Sequence, residues 1–229
     1  MNITVIEFPG SSGVKDAVYA LREVLSHDVN VLWHQEEFSS RPDLLVIPGG
    51  ASFGDYLRPG ALTKSSPVTA VIRKCAKEGV PVLGIGNGFQ ILCELDILPG
   101  VLLANTVSEF IRADSYLYVD SRDNIWTRHF SEDSFIRLPL ACYYGRYFID
   151  ARGLRDLEEN NRIAFRFCDS EGEVDLNNPY NGSLNCIAGI CNRHGNVLGI
   201  IAHPERVVED IQGGTDGLDF FKGVLGGIM

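Results

Sequence analysis

The chain has 229 residues and a mass of 25.2 kDa, with 45% apolar and 22% charged side chains, enough to bury a substantial core without disulfide or metal. A formal net charge of −10 and a pI near 4.9 exclude an overall electrostatic drive toward phosphate backbones or anionic membranes, so nucleic acid is not expected as a partner. Cys75, Cys93, Cys142, Cys168, Cys186 and Cys191 form no CxxC pair and no zinc-type spacing with histidine, which predicts free thiols in a reducing compartment.

In chain order, ITVIEF (3 to 8) reads as a strand entered directly from the N-terminus, with no basic leader ahead of it. The following VKDAVYALREVL (14 to 25) places Val14, Ala17, Val18, Leu21, Val24 and Leu25 on one helical face. VNVLW (29 to 33) and DLLVIP (43 to 48) are again strand-like. Ser66 and Pro67 read as N-cap and first position of the helix VTAVIRKCAKE, and Gly79 as its stop. VPVLGI (80 to 85) and GFQILCELDIL complete another strand and helix. Such alternation predicts an α/β fold with a mostly parallel sheet and helices on both faces.

Between residues 101 and 150 the pattern changes to short alternating runs such as SYLYVD and FIRLPL, which predict an antiparallel excursion. RIAFRFCD (162 to 169), SLNCIAGIC (183 to 191) and NVLGIIAHP (196 to 204) continue the strands, and GLDFFKGVL reads as a closing helix. With no repeat or linker, residues 1–229 are expected to form one domain. No apolar run approaches ~18 residues, and a cytoplasmic protein is expected.

Four loops should gather at the carboxyl ends of the strands, where ligands bind in parallel sheets: PGSSG, PGGASFGDYLRPGA (48 to 61), GIGNGFQIL (84 to 92) and HPER (203 to 206). The third is a sharp strand-to-helix bend of the kind that exposes a nucleophile, yet its apex is Gly86, which has no side chain. His203 and Glu205 have the spacing of a base and its orienting carboxylate. Gly49 and Gly50 permit close backbone approach, so an N–H there and that of Asn87 at the helix start are candidate oxyanion donors. Taken singly, each of these is more often a plain turn than a site; their order along the chain is what raises the functional reading.

PGGASFGDYLRPGA, GIGNGFQILCELDILPG, NPYNGSLNCIAGICNRHGNVLGIIAHPER and GGTDGLDFF together resemble the glutaminase subunit of phosphoribosylformylglycinamidine synthase, a class I triad-type glutamine amidotransferase of purine biosynthesis. The resemblance covers nearly the whole chain. It implies a flavodoxin-like fold that hydrolyses glutamine and delivers ammonia to a large ATP-dependent synthetase subunit, often with a small bridging subunit. It implies no cofactor on this chain, with ATP and Mg used by the large subunit. In the family a cysteine stands at the position of Gly86, with His203 and Glu205 completing the triad. Gly50 and Asn87 would form the oxyanion hole, and Gln90 would lie near the substrate amide.

Two departures from that pattern matter. Gly86 replaces the nucleophile, and LACYYGRYF (140 to 148) diverges where relatives carry a histidine, a glycine and an acid in place of Cys142, Tyr143 and Tyr144. Cys93, seven residues along the same helix, lies ~10 Å from the elbow and cannot attack the same carbon. Cys142 would need a new base and a new oxyanion site. Glycine relieves the strain of a positive φ at the apex while removing the chemistry, so a folded pocket without thioester formation is expected. Three origins fit: a nucleophile removed by design, a natural pseudo-subunit, or a chemically modified residue. Two functional readings stand beside each other, a glutaminase subunit stripped of its thiol and a non-catalytic binding subunit of the same complex. An unrelated elbow hydrolase would not explain the SFGDYLRPGA block.

Overall fold

Strands with unbroken apolar runs are expected to be covered on both faces, and strands that alternate on one. The computed structural model, which describes residues 1–36, 40–177 and 179–228, shows both kinds in one sheet. Strands β1 (Asn2–Glu7), β2 (Asp28–Trp33), β3 (Leu44–Ile47), β4 (Val82–Ile85) and β11 (Val197–Ile200) run parallel in the order β2-β1-β3-β4-β11. Every residue of LLVI, VLGI and the second VLGI is buried. Beyond β11 the sheet continues antiparallel through β10 (Ile187–Cys191), β9 (Ile163–Cys168), β6 (Ile111–Val119) and β7 (Phe135–Cys142). Edge strand β7 alternates in burial along its whole length, with one face open.

The antiparallel character expected for 101–150 is present, but β6 and β7 extend the main sheet instead of leaving it. Only β5 (Val101–Leu103) and β8 (Arg146–Phe148) pair separately. The parallel half is crossed by α1 (Val14–Val18), α2 (Val68–Lys77) and α3 (Asn87–Glu94), while α4 (Ala151–Glu159) and α5 (Asp216–Ile228) belong to the second half. Asn178, which opens the NPYNGS block, lies outside the described residues. No helix among the described residues is long and apolar enough to cross a membrane.

Two local expectations change. The first helix widens into a π-helix over Tyr19–Val24, with Leu25 N–H donating to Ala20 C=O, five residues back. Val14, Ala17, Ala20 and Leu21 are the fully buried residues of this segment, and Val18, Val24 and Leu25 are partly buried and pack against the same core. Ser66 does not cap α2 with its side chain. Its hydroxyl lies 3.0 Å from His34 Nδ1, giving the buried imidazole a polar partner, while Val68 N–H at the helix start donates to His34 C=O. Gly79, at φ +75°, ends α2 as expected, and Val80 N–H reaches back to Cys75 C=O.

Helix α3 is seated unusually close to the sheet. Gly84 and Gly199, paired across β4 and β11, present no side chains, and Leu92 and Phe89 fill the space a Cβ would take at each. Gly88 completes the seat: a Cβ there would overlap the Ile47 carbonyl oxygen and lie 2.8 Å from its carbon.

Candidate active site

Strand β4 delivers the chain to the elbow and β11 delivers it to the HPER turn, and these strands are neighbours with Ile85 opposite Ile200. Gly86 N–H donates to Ile200 C=O at 2.8 Å, pinning the apex to the end of β11. Gly86 adopts φ +55°, ψ −110°, a conformation that strains any residue with a Cβ by about 1–3 kcal/mol. A Cβ built on it would lie 3.0 Å from Cε1 and 3.2 Å from Nε2 of His203, and 3.6 Å from Cα of Gly49. The structure therefore brings together the apex, the histidine and the PGG loop.

His203 Nδ1 and Glu205 Oε1 are 2.7 Å apart, and both side chains are almost fully buried. An ionised Glu205 accepts from Nδ1–H, which leaves the Nε2 lone pair on the side of Gly86. The Pro204–Arg206 turn brings the carboxylate back under the ring, with proline at its first position. His203 N–H also donates to Pro139 C=O at 2.8 Å, so edge strand β7 curls back to brace the turn. Pro139 suits an edge strand, since it has no N–H to offer a further neighbour. The second oxygen of Glu205, Oε2, is buried without a partner among the described residues.

The two main-chain donors expected at the oxyanion site are both present. Asn87 opens α3, so its N–H has no intrahelical acceptor. Gly50 N–H finds no acceptor among the described residues, and its φ of +141° is imposed by the Gly10–Ser12 backbone packed against it. Gly49 is in contact with His203: a Cβ on it would lie 2.5 Å from Cε1.

Gln90 is engaged on both sides, accepting from Asn87 Nδ2 at 2.7 Å and donating to Tyr144 C=O at 2.7 Å. The divergent segment is thus tied directly to the elbow helix. Two residues of the SFGDYLRPGA block join the same network without a role having been assigned to them from sequence. Ser52 N–H donates to Asn87 Oδ1 at 3.1 Å, and Asn87 Nδ2 also reaches Asp55 Oδ1 at 3.3 Å. The signal was the block itself, which marked the loop but not which of its side chains turns inward.

Neither remaining thiol near the elbow substitutes for the missing nucleophile. Cys142 is buried at the end of β7, where desolvation pushes its thiol up to about 12 despite a hydrogen bond with Asn105. Burial also pushes the Cys93 thiol up, and its Sγ points at Pro99 C=O, 3.8 Å away. A thiolate is the attacking species, so both are inert near neutral pH. Alkylation at pH 8 followed by peptide mass analysis is expected to leave Cys142 and Cys93 unmodified in the folded chain and to modify both in denaturant. All six cysteines are unpaired.

Residues 1–216 match the CobB/CobQ-like glutamine amidotransferase domain family. The phosphoribosylformylglycinamidine synthase subunit PurQ of Aquifex aeolicus is 44% identical over 98% of this chain and 99% of its own length. The chain belongs to the PurQ family of glutamine amidotransferases. The PurQ subunit of Thermomicrobium roseum is 43% identical over 98% of this chain and 95% of its own. Among solved structures, PurLQS from Thermotoga maritima superposes with a TM-score of 0.86 at 34% identity, covering 100% of this chain and 99% of that one. A GMP synthase subunit from Thermoplasma acidophilum, at 17% identity and a TM-score of 0.65 over 100% of this chain and 94% of that one, shares the fold.

Proposed function

We propose that this chain is the glutamine-handling subunit of a phosphoribosylformylglycinamidine synthase and works docked on a large ATP-dependent synthetase subunit, with a small third subunit in the assembly. The observation that carries this reading is the junction of Gly86, His203 and Gly49 at the ends of β4, β11 and β3. In an amidotransferase with cysteine at this apex, the sulfur attacks the glutamine side-chain carbonyl, and the oxyanion that forms is held by the Gly50 and Asn87 N–H groups. The histidine, having taken the thiol proton through Nε2, returns it to the departing nitrogen, which leaves as ammonia. Water then attacks the thioester, releasing glutamate and regenerating the thiol.

With Gly86 the first bond cannot form. The chain keeps a base, its orienting acid and both oxyanion donors, and holds glutamine without opening it. ATP and Mg chemistry are assigned to the large subunit, and this chain is given no cofactor. That same glycine also favours a second reading, in which the chain is a permanent non-catalytic member of the complex that stabilises the synthetase or senses glutamine.

The test is a reconstituted complex with the large and small subunits. Amidation of phosphoribosylformylglycinamide is expected to proceed with ammonium salts as nitrogen source and to show no glutamine-dependent rate. A complex that fails to assemble, or one that uses glutamine with the unmodified chain, would overturn the proposal.

A further inference from the structure

The loop of residues 52–60 is held in an unusual backbone: Phe53, Asp55 and Leu57 all have positive φ, at 52°, 53° and 69°. Such residues are each costly, and the loop persists because both ends are clamped. Phe53 N–H donates to Pro9 C=O at 2.7 Å, and its ring packs against His34 and Phe8. At the other end Arg58 makes a two-pronged bond to Glu94 of α3, at 2.5 and 2.8 Å, and Lys64 adds a third contact to the same carboxylate at 3.1 Å.

The clamp has an electrostatic consequence. Both cations nearest to Asp55 along the chain are committed to Glu94, and among the described residues Asp55 forms no ion pair. Its carboxyl is half-buried against the N-terminal end of α3, and burial pushes it up to about 6. Its one side-chain bond is the 3.3 Å contact from Asn87 Nδ2, leaving Oδ2 without a partner among the described residues. A desolvated anion with an open oxygen is stabilised by a cation that arrives with a ligand.

The position selects the ligand's charge. Asn87 flanks the apex with its main-chain N–H and touches Asp55 with its side chain. The carboxylate is thus joined, through the one side chain of Asn87, to the main-chain N–H beside the apex. Glutamine places its α-ammonium four bonds from its amide carbon, about 5 Å away when extended. We propose that Asp55 binds the α-ammonium of glutamine and makes the site selective for a free amino acid over an amide that lacks the amino group. This inference rests on the glutamine-binding reading above and assigns it a specificity-determining residue.

Because the chain does not consume glutamine, selectivity is read as binding, by calorimetry with the chain alone and in complex with its large partner. The probes are glutamine and 5-amino-5-oxopentanoate, which is glutamine without its amino group. Native chain is expected to prefer glutamine by about tenfold or more, as a charge-assisted contact allows. Asp55→Asn keeps a residue type that tolerates positive φ and keeps the acceptor for Asn87. It is expected to shrink the preference to within about twofold by weakening glutamine while leaving the des-amino ligand unchanged. A merely structural role would weaken both ligands together. Equal weakening, or a preference that survives the substitution, overturns the inference while leaving the pocket reading intact. Failure of native chain to bind glutamine in either setting overturns the pocket reading, and the inference with it.

Discussion

Gly86→Cys is expected to turn this chain from a glutamine binder into a glutaminase, raising glutamine hydrolysis in the assembled complex by about 10⁴-fold or more over the native chain. On the proposed reading only the sulfur is absent: His203 Nε2 lies 3.2 Å from where an apex Cβ would stand, Glu205 holds Nδ1, and the Gly50 and Asn87 N–H groups have no acceptor among the described residues. The gain in activity should come with a loss in stability. A Cβ forced into φ +55° is strained by about 1–3 kcal/mol, and at 3.0 Å from Cε1 it requires the His203 ring to withdraw by a few tenths of an ångström. For a chain of this size that corresponds to a melting temperature lower by about 2–12 °C. Glutamate release and thermal unfolding, measured on the same preparation, check both halves. A variant that folds, assembles and still releases no glutamate would sink the catalytic interpretation of the elbow.

Gly88→Ala is expected to be strongly destabilising. The added carbon would overlap the Ile47 carbonyl oxygen, which belongs to β3 and has no freedom to withdraw. Relief requires α3 to lift from the sheet, and α3 supplies Asn87 and Gln90 while its first turn sets the angle of the elbow. Overpacking against backbone of this kind costs about 3 kcal/mol or more, equivalent to a melting temperature lower by roughly 6–12 °C. Chemical denaturation should show a lower midpoint with an unchanged slope. Glutamine binding should fall along with stability, unlike the case of Asp55→Asn. A variant as stable as the native chain would mean that α3 is not seated as described.

Much of this was legible in the residues. The parallel half of the sheet follows from unbroken apolar runs separated by helix-period segments, and LLVI and the two VLGI strands are buried throughout. The junction of Gly86 with His203 followed from placing strand-end loops on one edge. The curl that brings Pro139 onto His203 was not legible, because sheet coiling depends on how many strands join and in which order, and SYLYVD and FIRLPL carry no sign of joining the main sheet. Ser66 illustrates a different failure: a local capping rule was overridden by His34, a partner 32 residues away. Asp55 was missed because a charged residue in a loop reads as solvated until burial and hydrogen bonding show otherwise.

The ladder between β4 and β11 has a consequence for how the site comes into existence during folding. Residues 85 and 200 meet only when that one parallel pairing closes, and pairings between such distant segments form slowly and late. A slip by a single rung would carry His203 to the wrong side of the sheet, so no partial docking of the two strands yields a half-working centre. A nascent chain that has finished its first half holds the elbow residues but neither the Ile200 carbonyl that pins Gly86 nor the imidazole that faces it. The facing of apex and imidazole is therefore a property of the finished molecule and of no shorter piece of it.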